Sequence, residues 1–363
     1  MGRTLSFYLA GRALRLFAML TVGVLALVMM IDSVELLREE MNVLLGGALP
    51  MLWMSLRRSI VVLETVLPFI MLLTAIFALI GLNRSRELVV IRAAGLSVWR
   101  FLAPLLVVAL LMGAFSALIV GPFASWSQES TEREAALARG ADLAPQINLE
   151  EQARWSRQSD GPNSLLIGHR GQTNEGRYLA GVTIIRLAPN GAITLRATAP
   201  RAVYSDGRWV LTNAVLAREG QAPEKVGQFV QSTDADETRL GAQAQSPDRL
   251  SLFDLKEAAD LAESAGLSRA PYDQAFQTAL ATPLFFVAMV IVASTISLKF
   301  GRFGRYDTMV LGGMIGGFLF YVLVEIFDGL GGAGALPPGV AVWVPLTVVI
   351  LGAGTVLLYQ EDG

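Results

Sequence analysis

The main pattern in this sequence is a set of long uncharged runs at its two ends. A spanning helix needs about 20 mostly apolar residues, since each residue rises 1.5 Å across a hydrocarbon core of about 30 Å. Six stretches meet this requirement, the fifth extending past Glu325 and the sixth starting near Pro337. They are residues 16–31, 65–83, 101–128, 274–298, 308–324 and a run within 329–360. The pattern predicts six membrane-spanning helices, three on each side of a polar central segment.

The first run is bounded by Arg15 and Asp32, whose side chains can reach outward and complete the span. Arginines before an apolar run also occur in signal peptides. We predict no cleavage here, because the run is long for that purpose and ends in Met-Met-Ile-Asp without a small-x-small site.

Positively charged residues in the short connections predict the orientation. A six-span count puts three basic segments on one side of the membrane, which the positive-inside rule makes cytoplasmic. Their residues are Arg3, Arg12 and Arg15; Arg84, Arg86, Arg92 and Arg100; and Lys299, Arg302 and Arg305. Both termini are then cytoplasmic, whereas Glu325, Asp328 and the central insert are periplasmic in a bacterial inner membrane.

The central insert has the pattern of a β domain. Short alternating runs, typical of strands, cover residues 177–187, 192–198, 202–204 and 209–216. Turn residues separate them at Pro189-Asn190-Gly191 and at Ser205-Asp206-Gly207, and Asp-Gly between apolar runs favours a hairpin. The fold class is therefore membrane α-helical plus β, with a sandwich or jelly-roll domain between the third and fourth spans.

The end of the insert leads the chain back to the membrane. The polar segment 221–247 is interpreted as partly an exposed loop. Ser251 is then expected to cap an amphipathic helix that Gly266 ends. Its apolar face consists of Leu255, Ala258, Leu261 and Ala265. The predicted domains are 1–128 with a cytoplasmic helix at about 84–96, the periplasmic domain 129–272, and 273–363.

Composition excludes several kinds of chemistry. The chain has no cysteine, so disulfides, thiol catalysis and cysteine-based metal sites are excluded. His169 is the only histidine, and a lone histidine in a β-rich segment is more often a surface or packing residue than a ligand. None of the three lysines follows a glycine, so there is no Walker A loop. No basic block of the kind that binds nucleic acid is present.

The connection between the second and third spans, residues 83–97, is the most informative segment. Ser85 can cap a short helix, Glu87 lies in its first turn and Gly95 can end it, while Ser97 can cap the third span. One interpretation is a basic hairpin that only obeys the charge rule. The other is a coupling helix that docks into a groove on an ATPase. The residues alone leave both interpretations open.

The fifth span contains the pattern Gly312-Gly313-Met314-Ile315-Gly316-Gly317. Small residues four apart let another helix approach closely. Packing within this subunit and contact with a partner subunit both agree with the pattern.

The segment Glu87-Leu88-Val89-Val90-Ile91-Arg92-Ala93-Ala94-Gly95-Leu96-Ser97 resembles the signature of the LptF/LptG permease family, the membrane subunits of the lipopolysaccharide exporter. The likeness covers essentially the whole chain, and Asp32 near the end of the first span also fits it. Residues 318–323, 325–327 and the Pro337-Pro338 pair resemble the LptG member more than the LptF member. The resemblance implies a non-catalytic permease with a periplasmic jelly roll and no cofactor of its own.

The resemblance also implies partners. They are an LptF-like permease, two copies of an LptB-like ATPase that bind ATP and Mg, LptC-like and LptA-like bridge proteins, lipopolysaccharide and membrane lipid. The coupling residues would be Arg84, Arg86, Glu87, Arg92 and Gly95, with Glu87 as a principal contact. The first and fifth spans would line a lateral gate. By that match the substrate-contacting residues would include Met29, Arg38, Arg133, Phe320 and Tyr321.

One departure concerns the outer end of the first span. Family members of the LptG type are expected to have lysines there, whereas Arg38 is the only basic residue in 29–40, beside three glutamates. Either Arg38, Arg57, Arg58 and Arg133 contact the lipid phosphates, or the lipid has a less anionic headgroup.

Two other classes of function were weighed. An ion-coupled secondary transporter would carry ionisable residues in the middle of its spans and an internal repeat, and neither is evident. A scaffold with a periplasmic sensing domain would need a signalling output, and the cytoplasmic segments are too small for one.

Overall fold

The long apolar runs fold as helices in the computed structural model, which describes a set of ranges covering most of the chain. These are residues 3–39, 43, 45–93, 97–138, 154–160, 163–169, 171–172, 176–218, 222–235, 247, 250–264, 268–301 and 306–362. The chain forms two compact units. One comprises Met1–Glu132, Pro247–Lys256 and Ala270–Gly363, and the other comprises Arg133–Ser246 and Glu257–Arg269.

The helices are longer than the uncharged runs from which they were predicted. In chain order they are α1 Arg3–Arg38, α2 Ala48–Arg84, α3 Glu87–Ala93, α4 Val98–Phe115, a π-helical segment Ser116–Val120, α5 Gly121–Ala138, α6 Leu255–Ser264, α7 Ala270–Gly301, α8 Tyr306–Gly332 and α9 Pro338–Asp362. Six spans qualify by length and hydropathy, as predicted. The helices extend beyond the runs because backbone hydrogen bonding continues through flanking charged residues that reach the interface.

The core of the helical unit lies around α2 and α7, the two most buried spans. Contacts between α2 and each of α1, α7 and α8 hold the unit together, and α9 packs on α7. Hydroxyl groups inside these helices donate to their own backbone, as Thr74 does to the Ile70 carbonyl and Ser294 to the Val290 carbonyl, both at 2.7 Å. No polar side chain is therefore needed between helices at these points.

Two serines at helix ends behave differently from each other. Ser97 caps α4, its Oγ accepting from the backbone N–H of Arg100 at 3.4 Å, as predicted. Ser85 was expected to open α3, and that expectation is wrong. Its Oγ donates to the carbonyls of Gly81 and Leu82, at 3.0 and 3.3 Å, and so closes α2. The hydroxyl satisfies carbonyls that the end of α2 leaves without partners.

The second unit contains an antiparallel sheet, which confirms the predicted fold class of membrane helices plus β structure. Its strands are β1 Arg154–Asp160, β2 Asn163–His169, β3 Gly171–Gln172, β4 Tyr178–Leu187, β5 Ile193–Ser205, β6 Arg208–Arg218 and β7 Glu224–Ser232. Their order is β1-β2-β4-β5-β6-β7, with β3 paired to β4. The jelly-roll topology stays a prediction.

Both predicted turns are present. Asp206 and Gly207 have φ angles of 47° and 74°, the pattern of a type I′ hairpin between β5 and β6. One expectation about the strands was wrong, because residues 193–205 form a single strand, β5, where two separate runs, 192–198 and 202–204, were expected. The segment 221–247, interpreted as partly an exposed loop, contains β7, which was not predicted. The polar composition of β7 concealed it, because its side chains are mostly exposed.

The sheet is interrupted along a line that we call the crease, formed by Gly181, Pro200, Asn213 and Gly227. These residues lie opposite one another in the adjacent strands β4, β5, β6 and β7. The backbone pairing between neighbouring strands is missing at each of these positions. Gly181 and Asn213 have φ angles of 58° and 55°. Proline has no N–H to donate and positive φ disrupts extended backbone, so the four residues break the pairing at one place.

The core of the sheet is apolar with one polar centre. Trp209 is fully buried and its Nε1–H donates to Gln158 Oε1 at 3.0 Å, an oxygen that also accepts from Thr233 Oγ1 at 2.6 Å. Tyr204 packs on Trp209 with ring centroids 5.4 Å apart. His169 is buried at the end of β2.

The amphipathic helix begins later than predicted. It starts at Leu255, and Ser251 Oγ bonds the Asp254 carboxylate at 2.5 Å in the turn before it. Ser251 therefore stabilises the preceding turn and does not cap the helix. Ala265 and Gly266 lie outside the described residues.

Candidate functional site

The short helix α3 has a buried side and an exposed apolar side. Leu88 is 8% exposed and joins the core of the helical unit, whereas Val90 is 68% exposed. Arg84 and Arg86 are exposed beside it, and Arg86 has a φ of 57°, which turns the chain sharply from α2 into α3. An exposed apolar residue flanked by arginines is a surface that suits a protein partner.

Glu87 opens α3 and is held by a residue of α1. Its Oε1 lies 3.8 Å from Arg12 Nη1, and the same nitrogen donates to the Tyr8 hydroxyl at 3.2 Å. The Arg12 guanidinium also packs against the backbone of Gly81 in α2. The sequence placed Arg12 only among the orienting arginines, because nothing in its local pattern identifies a partner so distant in the chain.

The other predicted coupling residues are only partly described. Arg92 lies in α3, but its side chain is outside the described part, as is the whole of Gly95.

Near its C-terminal end, α1 is joined to α2 by polar contacts. Arg58 Nε lies 3.1 Å from Asp32 Oδ1. Ser33 Oγ donates to Ser55 Oγ at 3.1 Å, and Ser55 Oγ donates to the Met29 carbonyl at 3.2 Å. Asp32 is therefore a partner of Arg58, a pairing that the sequence left undetected.

The structure separates the arginines that were proposed to contact anions. Arg57 is 3% exposed, its Nη1 donating to Ser130 Oγ at 3.1 Å and its guanidinium lying 6.0 Å from the ring centroid of Trp53. Its interpretation as a headgroup contact is wrong, because burial against α5 leaves it no access to lipid. Arg38 is exposed and pairs weakly with Glu35 at 3.9 Å. The Arg133 side chain lies outside the described residues.

A cavity of about 560 Å³ opens among the helices of the first unit. Tyr321 lines it and packs on Phe69 with ring centroids 5.2 Å apart. Phe320 is 4% exposed and packs on Phe285 with ring centroids 4.9 Å apart, and its contact with the substrate stays a prediction. Met29 is half-buried on α1, and its described contact is with α2.

Three carboxylates also line this cavity. Asp328 accepts from Gln274 Nε2 at 2.9 Å and from Thr278 Oγ1 at 2.7 Å, and Glu325 lines the same cavity as Tyr321. Glu64 of α2 is the third. No role was predicted for Glu64, because it stands immediately before the uncharged run 65–83. The structure places it within α2, which begins at Ala48.

The glycine pattern of α8 packs within this chain. A Cβ on Gly317 would lie 2.7 Å from Leu72 Cδ2 of α2, and one on Gly316 would lie 2.9 Å from Ile296 Cδ1 of α7. Gly313 lies against Ile76 in the same way. Of the two interpretations left open by the sequence, packing within the subunit is the one observed. The opposite face of α8 exposes Leu311, Met314, Ile315, Phe318 and Leu319.

Comparison with known proteins agrees with this architecture. Among the described residues no group of three or more acidic or histidine side chains is arranged to hold a metal ion. The search of curated proteins gave no match. The family model described as lipopolysaccharide export system permease LptF/LptG matches residues 7–360, nearly the whole chain. With six apolar helices and a β domain inserted between the third and fourth, this chain belongs to the LptF/LptG family and is a multi-pass inner-membrane permease of lipopolysaccharide export.

Proposed function

We propose that this chain is the LptG-like permease of a complex that extracts lipopolysaccharide from the outer leaflet of the inner membrane. An LptF-like chain and two copies of an LptB-like ATPase complete the transporter. The lipid then passes to LptC-like and LptA-like proteins in the periplasm. This chain performs no covalent chemistry and carries no cofactor, since ATP and Mg are bound by the ATPase.

The observation that carries the proposal is the construction of α3. Leu88 anchors it in the core, and Val90, Arg84 and Arg86 face outward. A helix that is packed on one side and apolar on the other is preorganised to dock in a groove. The positive-inside rule alone accounts for the arginines but not for the exposed valine.

The energetics of lipid extraction require such a coupling. Removing an acyl chain from the bilayer costs on the order of 0.8 kcal/mol per CH₂, so a lipid with several chains needs tens of kcal/mol. An apolar surface between two permeases offsets part of that cost while the lipid waits. The exposed apolar faces of α1 and α8 supply such a surface in this chain, and they include Met30, Val34, Phe318 and Leu319.

The outer ends of α1 and α2 suit the phosphates of the headgroup. Arg38 is exposed, and Arg58 is partly exposed while held by Asp32. Guanidinium groups bind phosphate with two parallel hydrogen bonds, so two arginines can serve where more lysines would otherwise be needed.

Substitution of Glu87 by alanine tests the coupling role. We expect ATPase association to weaken about 5- to 30-fold, the effect of losing about 1 to 2 kcal/mol at an interface anchor. Glu224→Ala is the matched control, because Glu224 is also exposed and pairs with an arginine, Arg218, at 3.7 Å. Both variants are purified with the partner subunits, and ATPase content and lipid release are measured. Equal ATPase content in the two variants would remove α3 from the docking surface.

The orientation is tested with single cysteines, since the chain has none of its own. Ser205→Cys, in the β5–β6 hairpin, is expected to react with a membrane-impermeant thiol reagent in spheroplasts. Ser85→Cys is expected to react only after lysis. The reverse pattern would invert the topology.

A second candidate function rests on the cavity carboxylates Glu64, Glu325 and Asp328. Carboxylates inside spanning segments are a feature of ion-coupled transporters. Proteoliposomes separate the two candidates, because ATP-driven release should survive an uncoupler that collapses the proton gradient. Loss of release under the uncoupler would favour ion coupling.

A further inference from the structure

Arg12 is the one side chain at the cytoplasmic end of α1 for which the described contacts reach both α2 and α3. Its Nη1–H donates to the Tyr8 hydroxyl oxygen at 3.2 Å, within α1. The guanidinium lies on the backbone of Gly81 in α2 and 3.8 Å from the carboxylate of Glu87 in α3. Three helices therefore meet at one side chain.

The contact with Gly81 distinguishes this arrangement from an ordinary surface ion pair. A Cβ at position 81 would overlap Arg12 Nη2, so a larger residue there would displace the guanidinium from this position. Exposed ion pairs are weak because solvent screens them. Packing on Gly81 and the hydrogen bond to Tyr8 fix the guanidinium in position. The weak ion pair with Glu87 is therefore held in one geometry.

A comparison with Arg15 shows what an uncommitted arginine does in the same helix turn. Arg15 Nε donates to the Gly11 carbonyl at 3.2 Å, inside its own helix. Arg15 serves the orientation of the chain and links α1 to no other helix by that bond. Arg12 and Arg15 therefore have the same charge and different contacts.

We propose that Arg12 is a positioning residue that joins α1 to the coupling helix, so that the two move together when an ATPase displaces α3. The proposal rests on the function proposed above for α3. From Arg12 to Asp32 α1 runs without a break over 20 residues (32 − 12 = 20), about 30 Å at 1.5 Å per residue, and so links this contact to the polar contacts of Asp32 and Ser33. A displacement at the cytoplasmic end therefore reaches the outer leaflet through one continuous helix.

The test measures lipid released per ATP hydrolysed in the complex with the LptF-like and LptB-like subunits. Arg12→Lys keeps the charge that orients α1 but lacks the planar group that packs on Gly81 while reaching Glu87. Gly81→Ala keeps the charge and displaces the guanidinium. We expect both variants to bind the ATPase normally and to release about fivefold less lipid per ATP, the usual lower range of coupling between sites.

Two controls match these variants. Arg15→Lys repeats the charge-conserving change at the uncommitted arginine. Gly352→Ala adds a methyl group to α9 where nothing lies within 4 Å. Both should release lipid as the unchanged protein does. Normal lipid release per ATP in Arg12→Lys, with a reduction only in Arg12→Gln, would mean that Arg12 serves membrane orientation alone, and the proposal would be overturned.

A distance measurement gives a readout that a merely structural role would not move. Spin labels on Leu14→Cys in α1 and Ala93→Cys in α3 report the separation of the two helices with and without ATP. In the unchanged chain we expect the distance between the two labels to be the same with and without ATP. In Arg12→Lys we expect that distance to differ between the two states. A separation that already changes with ATP in the unchanged chain would overturn the proposal. Failure of the ATPase to bind the unchanged chain would instead refute the function proposed for α3.

Discussion

The two faces of α8 (Tyr306–Gly332) are built from different residues and have different surroundings. One face carries Gly313, Gly316 and Gly317, which touch α2 and α7 at distances that leave no room for a side chain. The other carries Phe318 and Leu319, both more than half exposed. Close glycine packing joins α8 to α2 and α7, so we expect this face to be the static part of the helix. Any lateral opening must therefore use the apolar face, which this chain leaves uncovered.

The largest expected effect is a difference in the free energy of unfolding between alanine substitutions of two phenylalanines, one on each face. Phe320 is 4% exposed and Phe318 is 58% exposed. Phe320→Ala should lower the free energy of unfolding by about 3 to 5 kcal/mol, since it leaves a cavity against Phe285. Phe318→Ala should change the stability of the isolated chain by less than about 1 kcal/mol. Thermal unfolding in detergent measures both, and similar values for the pair would contradict the division into two faces.

A bulky residue on the glycine face should come next in size. Gly317→Leu is expected to cost about 1 to 3 kcal/mol of stability because the added atoms meet Leu72 of α2. Gly352→Leu in α9 is the control, since a Cβ there meets nothing within 4 Å. If Gly317→Leu is as stable as the control but slows lipid release, the glycine face would be the moving part after all.

Association with the partner permease gives a smaller effect at the exposed face. Phe318→Ser should weaken copurification of the LptF-like chain while the fold of this chain remains intact, because the substitution removes apolar area from the uncovered face. We expect a loss of about 1 to 2 kcal/mol in association. Leu351→Ser, at an equally exposed position of α9, shows whether the loss is specific to α8.

The smallest signal is expected from a photo-crosslinker at position 321. Tyr321 lines the cavity at the edge between the two faces. If lipid passes there, the adduct with lipopolysaccharide should fall as ATP is hydrolysed. A crosslinker at Phe320 should capture none, because that side chain is buried. No adduct at 321 in an active complex would place the lipid path entirely on the exposed face.

The sequence predicted the six spans and three of the described strands, β4, β5 and β6, because both depend on local patterns. No strand was predicted for β1, β2 or β3. Apolar runs identify membrane helices, and Asp206-Gly207 between alternating runs identified a hairpin that the φ angles confirm. The strand β7 was missed because its exposed polar residues resemble a loop. Local patterns also could not separate Phe318 from Phe320, since the rotation of α8 about its axis depends on how its glycines meet α2.

Residues of the candidate site were harder to predict for a related reason. Charge type alone put Arg57 and Arg58 in one group, but α5 covers the first while Asp32 pairs with the second. The link between Arg12 and Glu87 joins residues 75 positions apart (87 − 12 = 75), and only the folded chain brings them together. Long-range pairing of this kind leaves no periodic signal in a single sequence.

The crease in the β domain has a mechanical consequence. The pairing between four neighbouring strands is interrupted at the same position, at Gly181, Pro200, Asn213 and Gly227. Each strand therefore crosses a line at which few hydrogen bonds join it to its neighbours. A sheet bends most readily where the hydrogen bonds between its strands are missing. We therefore expect bending of the sheet to be concentrated at the crease, with each half keeping its own pairing. Backbone amides beside the crease should exchange hydrogen faster than those in the middle of either half of the sheet.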